Sequence, residues 1–110
     1  MPDFDFSKQS EQSLNSLKQS LIKAEESADF EVEDAGGALH ISFDDPHAKF
    51  VISPNSAVNQ IWISALTTSF KLDWSPEKND FVLARTGESL KPLVARLINE
   101  QLQEDAVELT

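Results

Sequence analysis

The chain reads as an α+β protein, a two-layer α/β sandwich in which an antiparallel sheet of about six strands carries an N-terminal and a C-terminal helix on one face. Three observations predict this. Apolar residues recur at helical spacing at both ends of the chain, they alternate with polar residues at period two in between, and Gly, Pro, Asn and Asp punctuate the alternating runs. Two helices with one apolar stripe each must bury those stripes on the same side of a sheet.

The first helix is expected over residues 7 to 28, where Leu14, Leu17, Leu21, Ala24 and Ala28 form the stripe. Phe4 and Phe6 precede it, and either extend the helix or pack beneath its first turn. Phe30 and Val32 then alternate with Glu31 and Glu33 in a short strand. It ends at Gly36-Gly37, a dipeptide suited to the positive φ angles of a hairpin turn. The second arm covers residues 38 to 43, with Leu39, Ile41 and Phe43 on one face and Ala38, His40 and Ser42 on the other, before a turn at Asp44-Asp45-Pro46.

A third strand over residues 49 to 53 directs Phe50 and Ile52 inward and is expected to break at Pro54-Asn55-Ser56. The fourth, residues 59 to 64, places Ile61 and Ile63 on one face and Gln60, Trp62 and Ser64 on the other. Phe70, Leu72 and Trp74 mark a fifth strand, and Phe81 and Leu83 a sixth, separated by the turn residues 75 to 79. Ser89 is placed to cap the last helix, whose stripe is Leu90, Leu93, Val94, Leu97, Ile98 and Leu102 and which runs to about residue 103, with Pro92 in its first turn. Residues 104 to 110 read as a frayed tail or as a cover over an exposed edge through Val107 and Leu109.

With 110 residues and 40% hydrophobic content, residues 1–110 suit one domain with one core. The absence of cysteine removes disulfides, thiolate metal sites and a cysteine nucleophile, so any metal would be held by oxygen or imidazole. No stretch approaches a membrane span, and the amino terminus lacks the pattern of a secretion signal, so the expected location is the cytoplasm. A mature mitochondrial protein would share these features. The formal charge of -10 argues against nucleic acid, which needs clustered Lys and Arg, and favours cations or basic protein surfaces.

Two features point to function. The helix covers one sheet face, so His40, Val51, Gln60, Trp62, Lys71 and Asp73 are expected on an open one. A tryptophan exposed there would stabilise the fold more if buried, which marks a partner surface; a covered, core position for Trp62 is the other reading of the same alternation. The second feature is the run of Glu25, Glu26, Asp29, Glu31, Glu33 and Asp34, six acids without one base. Carboxylates are hard oxygen ligands suited to Fe²⁺, Mn²⁺, Ca²⁺ or Mg²⁺, and Glu31 and Glu33 project to the same side about 7 Å apart. A solvated face that keeps the protein soluble would use the same residues. However, acids at a helix C-terminus oppose the dipole and neighbouring like charges on a strand repel, so the run is not placed for stability.

His40 and His47 show no ligand spacing and read as ordinary surface histidines. There is no nucleophile elbow, no phosphate loop and no evident general base, so no catalytic residue is expected.

The chain resembles the bacterial frataxins. The residues that carry the likeness are 29 to 43 with Gly36-Gly37 at the hairpin, Asn59-Gln60-Ile61-Trp62-Ile63-Ser64, Asp73-Trp74 and Thr86-Gly87-Glu88-Ser89-Leu90, of which Gln60 to Ser64 are the most specific. The resemblance implies a two-helix α/β sandwich, a non-enzymatic role in iron–sulfur cluster assembly, and contacts with the cysteine desulfurase and the cluster scaffold. It implies iron, as Fe²⁺ or Fe³⁺, held weakly by Glu25, Glu26, Asp29, Glu31 and Glu33, with other divalent cations able to substitute. Asn59, Gln60 and Trp62 fall at the partner-binding positions. The protein then acts as iron donor or desulfurase regulator, or as a regulator with no physiological use of iron, and is a monomer that iron can drive into oligomers. Two stretches depart from the family pattern. The helix carries Lys18, Gln19, Ile22 and Lys23 where acids are usual, and residues 53 to 57 read Ser-Pro-Asn-Ser-Ala before the tryptophan strand.

Overall fold

The computed structural model describes residues 5–26, 28–44, 47–66 and 68–102. Phe4, the turn residues Asp45 and Pro46, and the tail over 104–110 lie outside the described residues. The first helix, α1 (Phe6–Glu25), is followed by β1 (Glu31–Ala35), β2 (Ala38–Asp44), β3 (His47–Asn55), β4 (Gln60–Ala65), β5 (Thr68–Ser75), β6 (Asp80–Leu83), β7 (Glu88–Ser89) and α2 (Leu90–Leu102). Each strand pairs antiparallel with the next, so the sheet is a seven-stranded meander in sequence order.

The sheet has one strand more than the sequence predicts. Ser89, read as a helix cap, pairs instead with Val82, and Glu88 pairs with Leu83, as β7. A two-residue strand has no alternation to detect, and Gly87 at φ 80° turns the chain back from β6 to make it.

Helix α1 starts earlier and ends sooner than its stripe suggests. Asp5 is the N-cap, accepting a hydrogen bond from the Lys8 N–H at 3.2 Å, so Phe6 opens the helix. Phe6 is buried with its ring edge-on to Phe81, 5.8 Å between centroids. The helix closes at Glu25, although the Ala28 N–H still reaches the Ala24 carbonyl and Ala28 still packs against the core.

Strand β3 runs through Pro54 to Asn55, past the expected break. Its pairing with β2 stops at Ile52, whereas pairing with β4 continues through Pro54↔Ile61 and Asn55↔Gln60. Pro54 therefore sits on a strand end with one neighbour, where a missing N–H is tolerated.

Both helices lie on one face. Leu14, Leu17 and Leu21 from α1, and Leu90, Leu93, Val94, Leu97 and Ile98 from α2, bury against Leu39, Ile41, Phe43, Phe50, Ile52, Ile61, Ile63, Phe70, Leu72, Phe81 and Leu83. Trp74 is half-buried at the margin of this core, edge-on to Phe81 at 5.2 Å. On the opposite face Val82 is also buried. At the far end of the sheet Glu88 is tied to α2 through Arg96, with contacts of 2.7 and 2.9 Å. Arg96 also meets Glu100 at 2.6 Å.

Candidate functional site

The register decides what shares the open face. Because the Gly36-Gly37 turn pairs Ala35 with Ala38, Glu33 stands opposite His40 and Glu31 opposite Ser42. The row continues from His40 to Val51 on β3, from Val51 to Ser64 on β4 and from Ser64 to Ser69 on β5. A second row joins Ser53, Trp62 and Lys71, and a third joins Asn55, Gln60, Asp73 and Val82. Glu31, Glu33 and Trp62 thus project from the same uncovered surface. Three strand spacings and one residue pair along the strand separate Glu33 from Trp62, about 16 Å.

The acid run that looks continuous in sequence is divided by this geometry. Glu31 and Glu33 are exposed on the open face. Asp34 points to the helix side, where Lys18 Nζ lies 3.4 Å from its carboxylate. Glu25, half-buried at the end of α1, accepts a hydrogen bond from the Val32 N–H at 2.9 Å. Val32 is on β1, the edge strand, so this carboxylate satisfies a backbone donor that has no strand to pair with. Glu26 and Asp29 are exposed in the connection between them. Among the described residues no three acids or histidines converge into a group that could hold a metal.

His40 is the neighbour that sequence reading passes over. It is half-buried, its Nδ1 is shielded from solvent without a hydrogen-bond partner, and Glu33 is its cross-strand partner. The signal was present: a two-residue hairpin turn fixes the register, and the register puts position 33 beside position 40.

Trp62 is 37% exposed, so it is neither core nor bare. Its Nε1–H donates to Gln60 Oε1 at 2.8 Å, and Lys71 Nζ lies 4.9 Å from the ring centroid. Ser53, its partner on β3, is too small to cover it. Asn59 takes φ 54° at the entry to β4, a left-handed conformation that Asn tolerates better than most residues, and its side chain is exposed. The preceding turn is closed by Asn55, whose Oδ1 accepts from the Ala57 N–H at 3.1 Å, and it carries Val58 at 51% exposure. A groove of about 790 Å³ lies on the other side of the sheet between α1 and the ends of β1 to β3, away from this surface.

The profile of the frataxin-like domain matches residues 1–104. The chain belongs to the frataxin-like family, of the bacterial CyaY type. It is 28% identical over 99 residues to the iron-sulfur cluster assembly protein CyaY of Thioalkalivibrio sulfidiphilus, covering 90% of this chain and 92% of that one. Against the protein of the same name from Azotobacter vinelandii it is 26% identical over 94 residues, 84% of each chain. The solved frataxin of Psychromonas ingrahamii superposes with a TM-score of 0.77 at 24% identity, covering 97% of this chain and 99% of that one, which shows the same fold.

In this frataxin-like chain the helix substitutions have visible consequences. Lys18 neutralises Asp34, and Ile22 adds a 37% exposed apolar side chain to the outer surface of α1. No described helix is long and apolar enough to cross a membrane.

Proposed function

We propose that this frataxin-like chain works in iron–sulfur cluster assembly as a non-enzymatic, iron-binding protein. Glu31 and Glu33 take up Fe²⁺ or Fe³⁺ weakly, with Glu26, Asp29 and the free oxygen of Glu25 adding negative potential and outer ligands. The open face around Asn59, Gln60 and Trp62 docks the cluster scaffold, and the acids meet a basic surface of the cysteine desulfurase. Iron is cargo here, loosely held and readily passed on. The observation that carries the reading is that Glu31 and Glu33 project from the same uncovered face as Trp62, so a cation and a partner protein can be held by one surface. The names of the CyaY relatives support the pathway.

Two exposed carboxylates about 7 Å apart suit a hydrated hard cation and give little selectivity. That same openness favours a second reading, in which the chain regulates the desulfurase and scaffold through its surfaces and iron plays no physiological part: no three ligands gather among the described residues.

Anaerobic titration with Fe²⁺, followed by amide NMR, separates the two. Perturbation centred on residues 25 to 33 supports iron binding. An unperturbed β1 with intact desulfurase binding leaves only the regulatory reading.

A further inference from the structure

The indole of Trp62 is held by a directional chain of contacts. Gln60 stands opposite Asp73 and Trp62 opposite Lys71. Gln60 Nε2 donates to Asp73 Oδ1 at 2.9 Å, and Gln60 Oε1 accepts from Trp62 Nε1–H at 2.8 Å. Lys71 lies over the ring at 4.9 Å from its centroid. An ionised carboxylate can only accept, whereas an amide side chain carries a donor at one end and an acceptor at the other. Asp73 therefore dictates which end of Gln60 faces β5, and by doing so turns the amide oxygen toward the indole N–H. The N–H of Trp62 is used within the protein. Apolar ring surface not covered by Lys71 is what remains for a partner.

We propose that Asp73 is a positioning residue of the Trp62 surface: through Gln60 it fixes the indole in one orientation, so that the surface selects a partner presenting an apolar side chain and not a hydrogen-bond acceptor for the indole. This rests on the reading of the open face as the scaffold's docking site. A ring already fixed loses little side-chain freedom on binding, and releasing it weakens association about fivefold by the usual cost of ordering one or two side chains.

The test uses full-length variants, the ¹⁵N–¹H resonance of the Trp62 indole, and affinity for the iron–sulfur scaffold protein of the same organism. Asp73→Leu, which removes the acceptor, moves the indole resonance upfield, speeds its exchange with solvent and weakens scaffold binding about fivefold. Gln60→Met does the same. Asp73→Asn offers a donor as well as an acceptor, so it no longer dictates the direction of the Gln60 amide and falls between wild type and Asp73→Leu, and Asp73→Leu adds nothing further when Gln60 is already Met. An indole resonance unmoved by Asp73→Leu overturns the proposal. So does an equal loss of binding from Asp73→Leu in the Gln60→Met background, which would mean direct contact by Asp73. Trp62→Ala separates the underlying reading: wild-type binding by that variant removes the docking surface itself. Weakened binding by Trp62→Ala, beside wild-type binding by Asp73→Leu, removes only the positioning role.

Discussion

The carboxylate of Glu25 accepts a hydrogen bond from the backbone N–H of Val32 at 2.9 Å, tying the end of α1 to the outer edge of β1. A candidate iron ligand is thereby also an edge guard. The charge and the acceptor oxygen are separable: Glu25→Gln keeps an oxygen for Val32, while Glu25→Ala leaves the donor unmade. The expected outcome is a loss of about 1 kcal/mol for Glu25→Ala and less than half of that for Glu25→Gln, measured by urea unfolding. Equal losses would show that charge, not the hydrogen bond, secures the edge.

Iron uptake should divide along the same line. With one Glu25 oxygen engaged and Asp34 paired to Lys18, the free carboxylates are those of the open face and the connecting segment. Replacing both Glu31 and Glu33 by Gln is expected to abolish the Fe²⁺-induced amide shifts in β1, whereas Glu25→Gln reduces them only modestly. The reverse ranking would move the site to the helix end.

Asn59 has a conformational reason to be where it is, independent of any partner. At φ 54° a glycine is as comfortable as asparagine, but alanine is strained by about 1 kcal/mol. Asn59→Gly should keep wild-type stability and Asn59→Ala should lose about 1 kcal/mol in the same unfolding assay. Scaffold affinity of Asn59→Gly then reports the side chain alone: wild-type affinity assigns Asn59 a purely structural role.

How much of this was legible in the sequence follows from which signals are local. The core faces of β2 to β6 came directly from period-two alternation, and both helices from their stripes, because burial acts on each residue where it stands. Strand β7 was not legible, since two residues carry no period and their pairing is imposed by Gly87. The split of the acid run was only half legible. Parity placed Glu31 and Glu33 together, but the contacts of Glu25 with Val32 and Asp34 with Lys18 depend on where α1 packs. The Asp73 and Lys71 contacts with Gln60 and Trp62 required the β4–β5 register, which is set by a turn in which Leu66 takes φ 53°, a conformation unusual for leucine.

The Glu88–Arg96 pair joins β7 to α2 and gives the fold a pH signature. The Arg96 guanidinium, hydrogen-bonded to it, holds the Glu88 carboxyl below the usual carboxylate range, and Glu88 in turn raises Arg96. A carboxylate whose folded pKa is depressed stabilises the fold above its unfolded pKa, and that contribution is lost as pH falls through the folded value. Arg96 is nearly half exposed, so the pair is worth at most about 1 kcal/mol. Glu88→Gln should therefore be less stable than wild type at neutral pH and indistinguishable from it once acid has protonated Glu88. A difference that persists unchanged into acid would mean the substitution disturbs β7 packing instead.

Electrostatic and apolar contacts differ in their response to salt, and this separates the two proposed partner surfaces. Exposed charges are screened beyond about 8 Å at physiological ionic strength, whereas burial of an indole is almost unaffected. If Glu31 and Glu33 meet a basic desulfurase surface, wild-type binding should weaken steadily as salt rises, and Glu31→Lys should both reduce affinity at low salt and flatten the dependence. Trp62→Ala should leave the desulfurase salt slope unchanged, because it removes no charge and lies about 16 Å from Glu33 and about 20 Å from Glu31. The slope is measured by titrating the desulfurase at several salt concentrations. A wild-type profile that is already flat would take the acids out of that interface and leave the Trp62 surface as the contact.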